Sequence, residues 1–181
     1  MDIKECIETR RSVRHFTGEP VSQEVIREII RLASFSPSWK NTQTPRYTIV
    51  TDKQVIERIA NDCVLGFHYN TKTLTRCTAL AVQSVVTNIS GMEKDGTSTT
   101  SKGSTWEVFD AGISAQTFCL AAHSLGIGTC IMGIFDDEKI AARIGLPEGE
   151  QVSALIAMGY PDEDSKMPPR LEVSEIVRFL D

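Results

Sequence analysis

Apolar residues recur with a helical period in several windows of the chain and gather into strand-length runs in others. Ile3, Cys6 and Ile7 share one face of a short helix over Asp2–Thr9. Ser22 stands where an N-cap belongs, before Val25, Ile26, Ile29, Ile30 and Ala33, and Pro37 ends that second helix. RYTIV (46–50) has strand character, and Thr51 with Gln54 has the spacing of a capping box for a helix reaching about Cys63. ALAVQSVV (79–86) reads as a buried strand, as do GTCIM (128–132) and QVSALIAMGY (151–160). A helix from about Asp136 to Ile144 stops at Gly145, and a last one covers about Ser174 to Leu180. Helices and strands do not alternate regularly, so the class is α+β or a three-layer variant, in one domain over 1–181 without internal repeats.

Two stretches depart from ordinary patterning. Residues 88–104, NISGMEKDGTSTTSKGS, have no hydrophobic period and predict a mobile surface loop. Ser104 and Glu107 then have capping-box spacing for a helix to Ser124 or Leu125, with Gly126 as its stop. That helix carries apolar or small residues almost all round, which predicts burial in the core and in a subunit interface together.

Charge and cysteine content narrow the function classes. A net charge of −5 argues against a nucleic-acid partner, although a local basic cluster can still hold a small anion. No apolar run reaches the roughly 18 residues of a membrane span and the first residues do not resemble a signal peptide, so a cytoplasmic protein with no membrane partner is expected. Five cysteines without a C-x-x-C pair, and three scattered histidines, suggest buried thiols and no metal site.

Cations and amides gather in three places. RRSVRHF (10–16) supplies Arg10, Arg11, Ser12 and Arg14, planar guanidinium forks and a hydroxyl suited to phosphate oxygens or else a solvated basic patch. SPSWKNTQTPRY (36–47) sets Pro37, Ser38, Asn41 and Gln43 in a proline-stiffened loop, either turn chemistry or amides for a heterocycle edge. KMPPRLE (166–172) returns Arg170 near the C-terminus. GIGTCIMG (126–133) fails the dinucleotide fingerprint because Ile131 stands in place of its third glycine.

Together with DAGISAQTFCLAAHSLGIGT, IMGIFD and the late GYP and PPR, these segments occur in the order seen in the nitroreductase family of flavin enzymes, which the chain resembles over nearly its whole length. The resemblance implies a central, mostly antiparallel sheet flanked by helices, in an intertwined homodimer with two FMN sites at the interface. It implies that Arg10, Arg11, Ser12 and Arg170 meet the phosphate and ribityl side, and that Arg14 and Asn70 meet the pyrimidine edge. Met132, Gly133 and Ile134 would lie along N5, while Pro37, Ser38, Asn41, Gln43 and Asp110 would come from the partner subunit. NADH or NADPH would reduce the flavin and a nitroaromatic, quinone or related acceptor would reoxidise it, by a ping-pong mechanism that needs no catalytic side chain. A flavin-binding or ligand-sequestering dimer with little turnover, and a specialised dehydrogenase or reductase on the same fold, are the alternatives. Thr73 and Pro168 stand where the family pattern has cations, and Thr44 and Arg46 alter the end of the second motif.

Overall fold

Strands β1 (Pro45–Val50), β2 (Ala79–Val86), β3 (Gly128–Met132) and β4 (Glu150–Gly159) form one sheet in the order β1-β2-β4-β3, with every neighbouring pair antiparallel. The computed structural model describes residues 1–163 and 165–180. The two central strands, β2 and β4, are apolar on both faces because helices cover both. Leu80, Val82, Leu155 and Ala157 point to one side, where they pack with Ile56, Ile59, Leu74 and Ile140 of α3 (Lys53–Asp62), α4 (His68–Arg76) and α6 (Asp137–Ile144). Ala79, Ala81, Ile156 and Met158 point to the other, against Ile26 and Ile29 of α2 (Gln23–Ala33) and Phe118 and Cys119 of α5 (Thr105–Ser124). Small alanines on β2 leave room for the fully buried Phe118 ring, the complementarity that close packing demands. The result is three layers, helix on sheet on helix, as the α+β reading allowed.

Several local expectations give way to specific contacts. Asp52, not Thr51, caps α3, because its carboxylate reaches the N–H groups of both Gln54 (2.8 Å) and Val55 (3.2 Å). Ser104 occupies the N-cap position of α5 as expected, but its side chain makes no capping bond; Glu107 is buried and accepts from the Ile89 N–H at 3.2 Å. α4 was not anticipated, since it buries Asn70 and Thr73 beside Leu74 and so shows no apolar period. The last helix contracts to α7 (Val173–Ile176), and Phe179 and Leu180 beyond it are exposed. α5 is not enclosed on every side: Val108 and Phe109 are 67% and 58% exposed. Among the described residues no helix is long and apolar enough to cross a membrane.

Candidate active site

The basic segment is held in place by its apolar members. α1 (Ile3–Thr9), capped by Asp2, delivers residues 10–16 in extended form across the ends of β3 and β4. Val13 donates its N–H to the Thr129 carbonyl at 2.9 Å, and Val13 and Phe16 are both buried. Each sits over a glycine: a Cβ on Gly128 would lie 2.8 Å from Val13 Cβ, and one on Gly159 would lie 2.9 Å from the Phe16 ring. Arg14, one position from Val13, is therefore turned outward. Arg11 donates to the carbonyls of Glu8 (2.6 Å) and Arg10 (2.7 Å), as a cation at a helix C-terminus does. Burial, and then Arg10 and Arg11, hold His123 below the ordinary histidine value.

Arg14 opens onto a cleft of about 530 Å³ at the β3 edge of the sheet, lined also by Phe67, Asn70, Met132, Gly133 and Ile134. α4 delivers Asn70, whose Nδ2 donates to the Ile134 carbonyl at 2.9 Å; this fixes the amide and leaves Oδ1 without a protein partner among the described residues. A Cβ on Gly133 would meet nothing within 4 Å, so the backbone of 132–134 borders open space. Cys130 joins the wall as a neutral thiol, its ionisation pushed up by burial. Thr73 offers no charge and turns its hydroxyl to the Tyr69 carbonyl at 2.9 Å.

A second cleft, of about 140 Å³, lies at the opposite, β1 edge and is lined by Pro37, Ser38, Gln43, Arg46, Tyr47 and Asp110 among others. Its loop is strained. Lys40 (φ 45°), Asn41 (φ 59°) and Gln43 (φ 50°) all occupy the left-handed region, at a cost of roughly 1–2 kcal/mol each. Such a conformation persists only where its surroundings enforce it. Ser38 Oγ accepts the Gln43 N–H at 2.9 Å, and the Asp110 carboxylate accepts the Trp39 N–H with both oxygens, each at 3.1 Å. Sequence reasoning found Asp110 but missed its neighbour Ser90, which is fully buried and donates to Asp110 Oδ2 at 2.6 Å. Ser90 lay hidden in a stretch without periodicity, so nothing distinguished it from its solvated neighbours.

The fourteen sequence-predicted residues thus divide. Arg14, Asn70, Met132, Gly133 and Ile134 line the first cleft, with Arg10, Arg11 and Ser12 on the segment beside it. Pro37, Ser38, Gln43 and Asp110 line the second, and Asn41 belongs to its strained loop. The two clefts share no lining residue. Among the described residues Arg170 lines neither cleft, and its guanidinium donates to the carbonyls of Pro168 (3.4 Å) and Pro169 (3.3 Å). All five cysteines are free and buried, and the described residues hold no cluster suited to a metal ion.

Comparison with known proteins places this geometry. The sequence model of the nitroreductase family matches residues 7–160. A protein of Methanothermobacter thermautotrophicus, provisionally assigned as an NADH dehydrogenase/NAD(P)H nitroreductase, is 29% identical over 91% of this chain and 80% of its own. The NADPH-flavin oxidoreductase of Vibrio harveyi is 27% identical over 96% of this chain and 71% of its own. A crystal structure from Staphylococcus epidermidis, of a protein provisionally assigned as an NAD(P)H:FMN oxidoreductase, superposes with a TM-score of 0.85 at 23% identity, covering 99% of this chain and 96% of the other.

Proposed function

Since the chain belongs to the nitroreductase family, we propose that it is an FMN-dependent oxidoreductase that passes hydride from NADH or NADPH to a nitroaromatic, quinone or related small acceptor. The observation that carries this reading is the first cleft. It combines an outward guanidinium, a clamped amide with a free acceptor oxygen, a stretch of open backbone and an apolar wall. That donor set fits FMN, a planar heterocycle with a polar pyrimidine edge and an anionic tail. Bound there, the flavin would supply reversible two-electron chemistry at its N5.

The chain's own work is binding and electrostatics. Arg10, Arg11 and Ser12 would hold the phosphate and ribityl side, and the family resemblance assigns Arg170 to the same phosphate, although here it lies on the carbonyls of Pro168 and Pro169. Arg14 places positive charge where negative charge accumulates on reduction, and Asn70 orients the same edge. Gly133 lets the 132–134 backbone approach without a side chain in the way. No side chain in either cleft is needed as acid, base or nucleophile, and the Cys130 thiol, kept neutral by burial, stays out of the chemistry.

The second cleft completes the site from another subunit. The clefts lie at opposite edges of a four-stranded sheet, about 14 Å apart at the usual strand spacing, too far for one protomer to wrap one ring with both. Exposed Val108 and Phe109 on α5, with Phe35 after α2, give a second copy an apolar face to cover. In such a homodimer the 36–43 loop of each protomer, held by Asp110, would help to hold the partner's flavin. Purification under native conditions and anaerobic titration test the reading. Protein that carries FMN and is bleached by NADH or NADPH supports it; protein that takes up no FMN, or holds FMN that neither nucleotide reduces, overturns it.

A further inference from the structure

A buried knot of polar groups joins three segments that the chain keeps far apart. The Asp110 carboxylate is 2% exposed and forms no salt bridge among the described residues; its charge is met by the Trp39 N–H and the Ser90 hydroxyl. Ser90 has spent its one proton on Asp110, so Thr42, 2.9 Å away, must be the donor in the bond between them. The chain thus ties residues 39 and 42 of the strained loop to residue 90 and to α5. Indole packing extends the tie: Trp39 and Trp106 have ring centroids 4.8 Å apart, and Trp106 Nε1 donates to Thr100 Oγ1 at 3.1 Å.

Residue 90 opens the 88–104 segment, which is a compact hairpin in this structure. Glu93 N–H donates to the Thr97 carbonyl at 2.8 Å and Thr99 N–H to the Gly91 carbonyl at 2.9 Å. Gly91 is obligatory, because a Cβ there would lie 2.2 Å from the Gly103 carbonyl oxygen. Lys40 adds a surface contact to Glu93 at 3.4 Å. A polar stretch with no core of its own is therefore shaped by its own backbone bonds and fastened to the loop that borders the second cleft. Among the described residues Trp39 Nε1 is buried without an acceptor, so the indole is held there by packing and through its backbone N–H.

We propose that Ser90, acting through Asp110, is a positioning residue that locks the 88–104 hairpin and the 36–43 loop into one unit, so that the hairpin sets acceptor specificity by holding the strained loop in shape. The proposal rests on the oxidoreductase reading, in which that loop covers the flavin. Ser90 would touch neither flavin nor acceptor. Its influence passes through the Trp39 amide and the left-handed residues Lys40, Asn41 and Gln43.

Trp39 and Trp106 are the only two tryptophans in the chain, so the coupled circular-dichroism signal of their close, tilted indoles reads the knot directly, without turnover. The test compares wild-type holoprotein with Ser90→Ala and with Thr42→Val, which is nearly isosteric and less buried. The expected result is a diminished tryptophan couplet, retained FMN, and reduction by NADH or NADPH within about two-fold of wild type. KM ratios between a nitroaromatic and a quinone should shift about five-fold, the scale of one buried hydrogen bond. Loss of the couplet with unchanged acceptor ratios in both variants would make the knot merely structural and overturn the proposal, as would an unchanged couplet. A wild-type protein that binds no flavin would instead overturn the oxidoreductase reading, and the couplet would still report whether Ser90 joins the two segments.

Discussion

His123 shows how single residues feel the basic segment. It lies near Arg10 and Arg11 and its Nε2 is 2.8 Å from Thr9 Oγ1, with Glu5 the nearby opposing charge. Burial and the two arginines disfavour its imidazolium, so its folded value lies below the usual 6.5. The unfolded chain then binds the extra proton first. The stability this group contributes is complete above pH 6.5 and is lost as pH falls from there through the folded value. An anion on Arg10 and Arg11 removes part of the repulsion, so the His123 titration midpoint should move upward when FMN, or sulfate as a non-titrating probe, is added. Proton NMR of the ring, assigned by comparison with His123→Gln, reads this. A midpoint that does not move would place the anion elsewhere. Neither the histidine's coupling nor the Ser90 hydroxyl could be read from sequence, because both depend on residues about 20 or more positions apart meeting in space.

At the scale of elements, the apolar pattern carried most of the information. The sequence limits of β2 and β3 match the structure, because runs such as ALAVQSVV and GTCIM are buried along their length. α4 was illegible for the converse reason: its inward face is Asn70 and Thr73 as much as Leu74. The cap of α3 falls on Asp52, one residue beyond the expected Thr51, whereas Ser104 does stand at the N-cap of α5 but forms no side-chain capping bond, and Glu107 is drawn instead to the Ile89 amide. The basic segment was legible as chemistry but not as architecture. Its position depends on Gly128 and Gly159, which admit Val13 and Phe16 against β3 and β4. Gly128→Ala forces Val13 away and should cost about 1–3 kcal/mol of stability, while also weakening FMN binding because Arg10–Arg14 shift with it. Urea denaturation and flavin titration measure the two effects. Wild-type stability in this variant would mean that the segment relaxes freely and is not positioned by packing.

For the whole molecule, the sequence resemblance anticipated the family and the antiparallel sheet, and the structure adds where the predicted site residues fall. All but Arg170 fall at or beside clefts on two sheet edges. Exposed apolar residues accompany that division on α5 and again along the C-terminal segment at Met167, Leu171, Val173 and Ile176, surface that a single protomer leaves in water. The proposed function requires each flavin to be held by the cationic edge of one subunit and the loop edge of another. Mixed dimers test it most directly. One subunit carries Arg10→Ala with Arg14→Glu and the other Ser38→Glu, each variant being expected to bind no FMN as a homodimer, and the two are co-expressed with different affinity tags and isolated together. A shared site predicts that the mixed dimer regains one flavin, reducible by NADH or NADPH, because one of its two sites draws only on unmutated halves. Mixed dimers as empty of flavin as either parent would contradict the account, since they would show that both halves of each site come from the same chain.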